Sequence, residues 1–213
     1  QGLAALPQPH TRLWLPDDPT GTFECHQLWA VLIFHLLSAD EATSIIAMAE
    51  AHAEKHGWMS SRHRHYPTTD IAVEPSSAVE LHSALDPLVR QCILPTMATH
   101  YGFLSEDLAV HDLFVVKYEA AGAAQDRLAP HRDGHLLSFS LLLSDPDTDF
   151  EGGGLAFHSL GPRCDTCRDD VPSPPHLASD QRVIRENCPR CFGSGRLAVP
   201  GVKQGDLTVH CGK

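Results

Sequence analysis

Apolar positions follow a helical rhythm between about Ala39 and Tyr101 and a strand rhythm after it. Trp29 to Leu37 is a nearly unbroken apolar run, which predicts a buried strand. Directly behind it, Ser38-Ala-Asp-Glu41 has the Ser-x-x-Glu spacing of a capping box, in which each end residue satisfies a backbone N–H of the other. A helix is therefore predicted from about Ala39 to His56, stopped by Gly57, with Ile45, Ile46, Met48, Ala49 and Ala53 along one stripe. A second helical region spans about Ser77 to Tyr101, its packing face formed by Val79, Leu81, Leu85, Leu88, Val89, Ile93, Leu94 and Met97. Pro87 and Pro95 are expected to break or kink it, because proline has no N–H to donate and its ring crowds the preceding turn.

Beyond Tyr101 the chain breaks into short β-rich runs: Leu108 to Tyr118, Leu136 to Leu143, Leu155 to Phe157 and Asp206 to His210. Clusters of Gly, Pro and Asp separate them, as in an all-β sandwich or barrel. Residues 1 to 28 hold Leu15-Pro-Asp-Asp-Pro-Thr-Gly-Thr22 and few packing residues, so this stretch is expected to be a loosely ordered lead-in. The remainder, 29 to 213, reads as one domain with helices first and sheet second. The chain opens on Gln1 and stops at Lys213 directly behind a strand-like run, which suggests a fragment at both ends.

Composition narrows the function. Sixteen Lys and Arg against 27 Asp and Glu give a net charge of −11, with no basic stripe of the kind a phosphate backbone requires. Nucleic acid is excluded as a partner on that ground. No apolar run approaches the roughly 20 residues that span a bilayer. The 15 His and 7 Cys point instead to metal chemistry.

Two constellations carry it. His131-Arg-Asp133 lies between two strand-like runs, where residues i and i+2 share a face, so one imidazole and one carboxylate can close on a single ion. These are two of the three ligands of a facial triad, although a surface His beside a turn Asp has the same spelling. The second is C-x2-C-x20-C-x2-C: Cys164, Cys167, Cys188 and Cys191. Four thiolates in two such knuckles suit tetrahedral Zn(II), and the Asp- and Pro-rich residues between them have no core of their own. Residues 162 to 200 are read as a zinc-stapled insertion, with disulfides or a redox thiol pair as alternatives. Cys25, Cys92 and Cys211 are expected to be incidental thiols.

Several stretches occur together in one order: Tyr66-Pro-Thr-Thr-Asp-Ile71, Phe114-Val-Val-Lys-Tyr118, Leu128-Ala-Pro-His-Arg-Asp-Gly134, Ser138-Phe-Ser-Leu-Leu-Leu143, Asp149-Phe-Glu-Gly-Gly-Gly154 and Gln204-Gly-Asp206. In these the chain resembles the catalytic domains of the procollagen lysyl hydroxylase and prolyl 4-hydroxylase group of iron- and 2-oxoglutarate-dependent oxygenases. The Phe-Glu-Gly-Gly-Gly stretch is closer to the lysyl branch. The resemblance implies an α+β fold in which N-terminal helices pack on a double-stranded β-helix, or jelly roll. It implies Fe(II) held by His131 and Asp133, Tyr118 lining a 2-oxoglutarate pocket, and ascorbate as a further cofactor. Gly152 to Gly154 are architecture near the site, and His65 and Asp70 belong to a stretch that could border the substrate mouth.

By the same resemblance the last iron ligand, and a basic residue pairing with the far carboxylate of 2-oxoglutarate, are expected beyond Lys213. The domain is thus expected to be truncated at its C-terminal end and its iron site incomplete. The rival reading makes His210 itself the third ligand.

The expected function is hydroxylation of a lysyl or prolyl side chain in a protein or peptide, and an acidic surface suits a basic peptide. An inactive domain acting as a zinc-stapled protein-interaction module is the alternative, and a metal-dependent hydrolase a third. Likeness to lysyl hydroxylases suggests the endoplasmic reticulum lumen, whereas zinc-type cysteines suit the reducing cytoplasm. Oligomeric state has no signature in the sequence.

Overall fold

The computed structural model describes residues 6–14, 28, 30–60, 62–63, 66–120, 125–129, 131–157, 199 and 201–212. Its strands are β1 (Thr11–Trp14), β2 (Ala30–His35), β3 (Thr69–Ala72), β4 (Phe114–Lys117), β5 (Leu137–Leu141) and β6 (Asp206–Cys211). The helices are α1 (Ala39–His56), α2 (Val79–Leu88) and α3 (Leu94–Tyr101), the last two joined by a π-helical turn over Val89–Ile93. Four strands form one antiparallel sheet in the order β1-β2-β6-β5, and β3 pairs with β4 in a separate antiparallel ribbon. The architecture is thus mixed helices and antiparallel sheets, and no jelly roll is displayed among the described residues.

β2 is an interior strand because its sequence leaves it no solvent face. Ala30 to Phe34 are all buried, and β1 and β6 flank it on either edge. Leu32 and Phe34 meet Val89, Ile93, Met97 and Tyr101 from the helices and Leu207 and Val209 from β6. Tyr101 closes this layer: its buried hydroxyl is shared between the carbonyls of Ala30 at 2.7 Å and Val209 at 2.9 Å, across the two central strands.

α1 follows the predicted range. Ser38 accepts from Glu41 N at 3.3 Å and Glu41 accepts from Ser38 N at 2.8 Å, completing the capping box, and Gly57 ends the helix at φ +79°. Its buried face, Ala42, Ile45 and Ala49, packs in a second cluster with Ile71, Leu81 and Leu85.

The prolines flank an interruption of α geometry in the second helical region, as expected, although the winding itself continues. Pro87 sits inside α2 and Pro95 in the first turn of α3, and the chain keeps winding between them through the π turn, where Leu94 N reaches back to Val89 O. The buried residues Leu81, Leu85, Val89, Ile93, Met97 and Tyr101 recur every four positions. Four residues exceed one α turn by about 40°, so this stripe winds around the helix axis. Its first two members meet the α1 cluster and its last four meet the sheet.

Three expectations need correction. Thr11–Trp14, inside the presumed loose lead-in, pairs with Ala30 to Ile33; the edge of β2 supplies the hydrogen bonds that so short a segment cannot supply itself. The run from Leu108 to Tyr118 is a strand only over Phe114–Lys117, since a short helical turn at Ser105–Asp107 and a bend at His111 precede it. Leu155 to Phe157 forms no ladder among the described residues; Leu155 O accepts one bond, from Val199 N at 2.8 Å. The four cysteines of the knuckle pattern, nearly all of the 162 to 200 insertion, and His65 lie outside the described residues. Among those described, no helix is long and apolar enough to cross a membrane.

Candidate metal centre

β5 and β6 pair with Ser138 opposite His210 and Leu137 opposite Cys211. The pairing continues past the strand ends, where Gly212 N donates to Leu136 O at 3.3 Å and Gly134 N donates to Gly212 O at 3.1 Å. This register lays the segment carrying His131 and Asp133 beside the end of β6 that carries His210. His131 Nε2 stands 3.1 Å from Asp133 Oδ1, and His210 Nε2 stands 4.0 Å from Asp133 Oδ2. All three side chains are partly screened from solvent, His210 most of all at 15% exposure.

The second nitrogen of each ring is already engaged. His131 Nδ1 lies 2.9 Å from Ala129 O, and His210 Nδ1 lies 3.0 Å from Cys211 O. A carbonyl oxygen only accepts, so in both rings the Nδ1 is the N–H and donates. A neutral ring then has a bare lone pair on Nε2, and both lone pairs are turned toward one carboxylate. Two imidazole lone pairs beside one carboxylate are a donor set of the kind that holds a cation. A backbone carbonyl on Nδ1 is also the usual outer partner of a metal-bound imidazole. Aromatic rings brace both: Tyr66 lies over His131 with centroids 4.9 Å apart, and Phe157 meets His210 edge-on at 4.9 Å.

Asp206 shows that this is not how every His–Asp contact in the chain is built. Its carboxylate is buried and takes His35 Nδ1 at 2.9 Å, His10 Nε2 at 3.2 Å and Lys203 N at 2.8 Å. Here neutral imidazoles can donate N–H to the carboxylate, and the group needs no added cation. The hub ties β1, β2 and β6 together and is structural. Asp70, another fully buried carboxylate, is held by Arg62 at 2.8 Å and by the Thr68 hydroxyl, with Arg62 bridging on to Asp112 at 2.8 Å. That network anchors the β3–β4 ribbon.

Right-angle donors bound to one ion at about 2.1 Å lie about 3.0 Å apart. The His131–Asp133 separation has this value, while His210 stands further off, and the two imidazoles address different oxygens. Among the described residues, accordingly, no group of three His, Cys, Asp or Glu side chains encloses a common point where a metal ion would sit. The donor set fits Fe(II) in kind, two imidazoles and a carboxylate. Tyr118 follows β4, in the other sheet, with 45% of the residue exposed and its phenol raised above the ordinary value by desolvation. Gly152, Gly153 and Gly154 all adopt positive φ, between 68° and 88°, which a side chain would resist.

Comparison with protein-family models, with curated proteins and with solved structures returns no match.

Proposed function

We propose that the chain carries the core of an Fe(II)- and 2-oxoglutarate-dependent dioxygenase that hydroxylates a lysyl or prolyl side chain in a protein or peptide. The observation that carries this reading is the pair of imidazoles, His131 and His210, each donating Nδ1–H to a backbone carbonyl while its Nε2 faces Asp133. Iron with bound 2-oxoglutarate and dioxygen would supply the oxidising chemistry, replacing C–H by C–OH and releasing succinate and CO2.

The chain's own residues have separate tasks. His131 and Asp133 would hold the metal, and the carbonyl of Ala129 would fix the His131 tautomer that presents Nε2. His210 is the third donor that the described residues bring beside Asp133; a residue further along the chain is the competing assignment. Tyr66 and Phe157 would restrict rotation of the two rings and exclude water from their faces. Tyr118 would line the 2-oxoglutarate pocket, ascorbate would keep the iron reduced, and Cys164, Cys167, Cys188 and Cys191 would hold Zn(II). A net charge of −11 suits a basic peptide substrate.

The test is iron-dependent release of succinate from 2-oxoglutarate, followed by proton NMR, in the wild-type chain and in His131→Ala and His210→Ala. Release abolished by His131→Ala supports the proposal, and release that survives His210→Ala moves the third ligand elsewhere. Stoichiometric iron binding with no succinate overturns the catalytic reading in favour of an inactive domain that serves as a zinc-stapled interaction module.

A further inference from the structure

We infer that Gly212 is a positioning residue of this centre, fixing the gap between the strand that carries His210 and the segment that carries His131 and Asp133. The inference rests on the metal-centre reading above and goes beyond it to a residue with no functional group. Gly212 is clipped on both sides: its N–H donates to Leu136 O at 3.3 Å and its carbonyl accepts from Gly134 N at 3.1 Å. Both bonds run to the turn that immediately follows Asp133. A Cβ on Gly212 would stand 2.7 Å from His135 O, 2.9 Å from Ser138 Oγ and 3.2 Å from Asp133 Cβ.

Carbon and oxygen in non-bonded contact stay about 3.3 Å apart or more. The carbonyl of His135 would therefore have to retreat by about 0.6 Å, and it belongs to the backbone, which cannot swing aside as a side chain can. Asp133 lies directly in the path of the same methyl group. Relief at His135 O, two residues from Asp133, and at Asp133 Cβ itself shifts the carboxylate relative to His210. The missing side chain at 212 is what lets two segments, far apart in sequence, approach as closely as they do, with His210 Nε2 4.0 Å from Asp133 Oδ2.

The variant is Gly212→Ala, read in two ways. Mn(II) binding by electron paramagnetic resonance is expected to weaken about ten- to a hundred-fold, the range typical of outer residues that orient metal ligands. In the metal-free protein, the ring 15N and 1H signals of His131 and His210 are expected to shift while those of His10 and His35 hold still. Gly201→Ala is the control, because a Cβ there meets nothing within 4 Å. A purely structural role lowers the melting temperature in both variants and leaves metal affinity and ring signals of the folded protein unchanged, and that result overturns the inference. If the wild-type chain binds no Mn(II), the metal-centre reading fails, and the ring signals alone decide on Gly212. Should Gly212→Ala not fold, Gly212→Ala with Ser138→Gly, which removes the 2.9 Å contact, repeats both measurements.

Discussion

Replacing Gly205 by alanine puts a methyl group where β6 begins and where the link from β2 to α1 passes closest. An added Cβ would stand 2.0 Å from Leu37 O and 2.9 Å from Leu37 C, with backbone on both counts. Gly205 also holds three hydrogen bonds: its carbonyl accepts from Leu36 N and Leu37 N, each at 3.0 Å, and its N–H donates to Leu142 O at 2.7 Å. Relief of the 2.0 Å contact needs a displacement of more than an ångström, which forfeits at least two of the three. At about 1 kcal/mol per bond, and about 1–2 kcal/mol for a side chain at φ +83°, the expected loss is about 3–4 kcal/mol. For a chain of this size that lowers the melting temperature by about 6–16 °C. Gly201, at φ +75° with nothing near its Cβ position, isolates the backbone term, and Gly201→Ala should cost only about 1–2 kcal/mol. Urea and thermal unfolding followed by circular dichroism measure both variants. A Gly205→Ala loss within about 0.5 kcal/mol of the Gly201→Ala loss would refute the crowding argument, being inside the scatter of ordinary surface changes.

Burial raises the Tyr101 phenol above its ordinary value of 10.0, so the unfolded chain releases this proton at a lower pH than the folded one, and stability should fall as pH rises beyond about 10. Tyr101→Phe should cost about 1–3 kcal/mol at neutral pH, through the lost bonds to Ala30 O and Val209 O, and should flatten that alkaline decline in pH-dependent urea melts. The Ser38 backbone N–H, then its hydroxyl, hold the Glu41 carboxyl below its usual 4.5, so the stability it contributes is complete above that value and is lost as pH falls through the lower folded value. Ser38→Ala should cost about 1 kcal/mol at neutral pH and reduce the acid-side loss, seen in the same melts.

The chain's sequence made some parts of this molecule readable and hid others for physical reasons. α1 was legible because cap, stripe and terminal glycine all agree within one local segment, from Ser38 to Gly57. β1 was not, because four residues become a strand only when the edge of β2 is present to pair with them. The break or kink expected at Pro87 and Pro95 was legible as the interruption of α geometry between them, but its form, a π turn through which a four-residue apolar repeat keeps winding, is set by packing that the local rule for proline omits. The i, i+2 spacing of His131 and Asp133 was plain. The approach of His210 to them depends on a pairing of β5 with β6 across some 70 residues of chain, a register the composition does not encode. The same holds for the hub at Asp206, whose partners His10 and His35 come from the opposite end of the sequence.

The central claim, that Asp133 and its imidazoles are built around a cation rather than around each other, is tested most directly by anaerobic Fe(II) titration with elemental analysis of the recovered protein. The wild-type chain is expected to retain one iron per chain. His131→Ala, unfolding at the same temperature as wild type, is expected to retain none. Stoichiometric iron in His131→Ala, or none in the folded wild-type chain, would contradict the account.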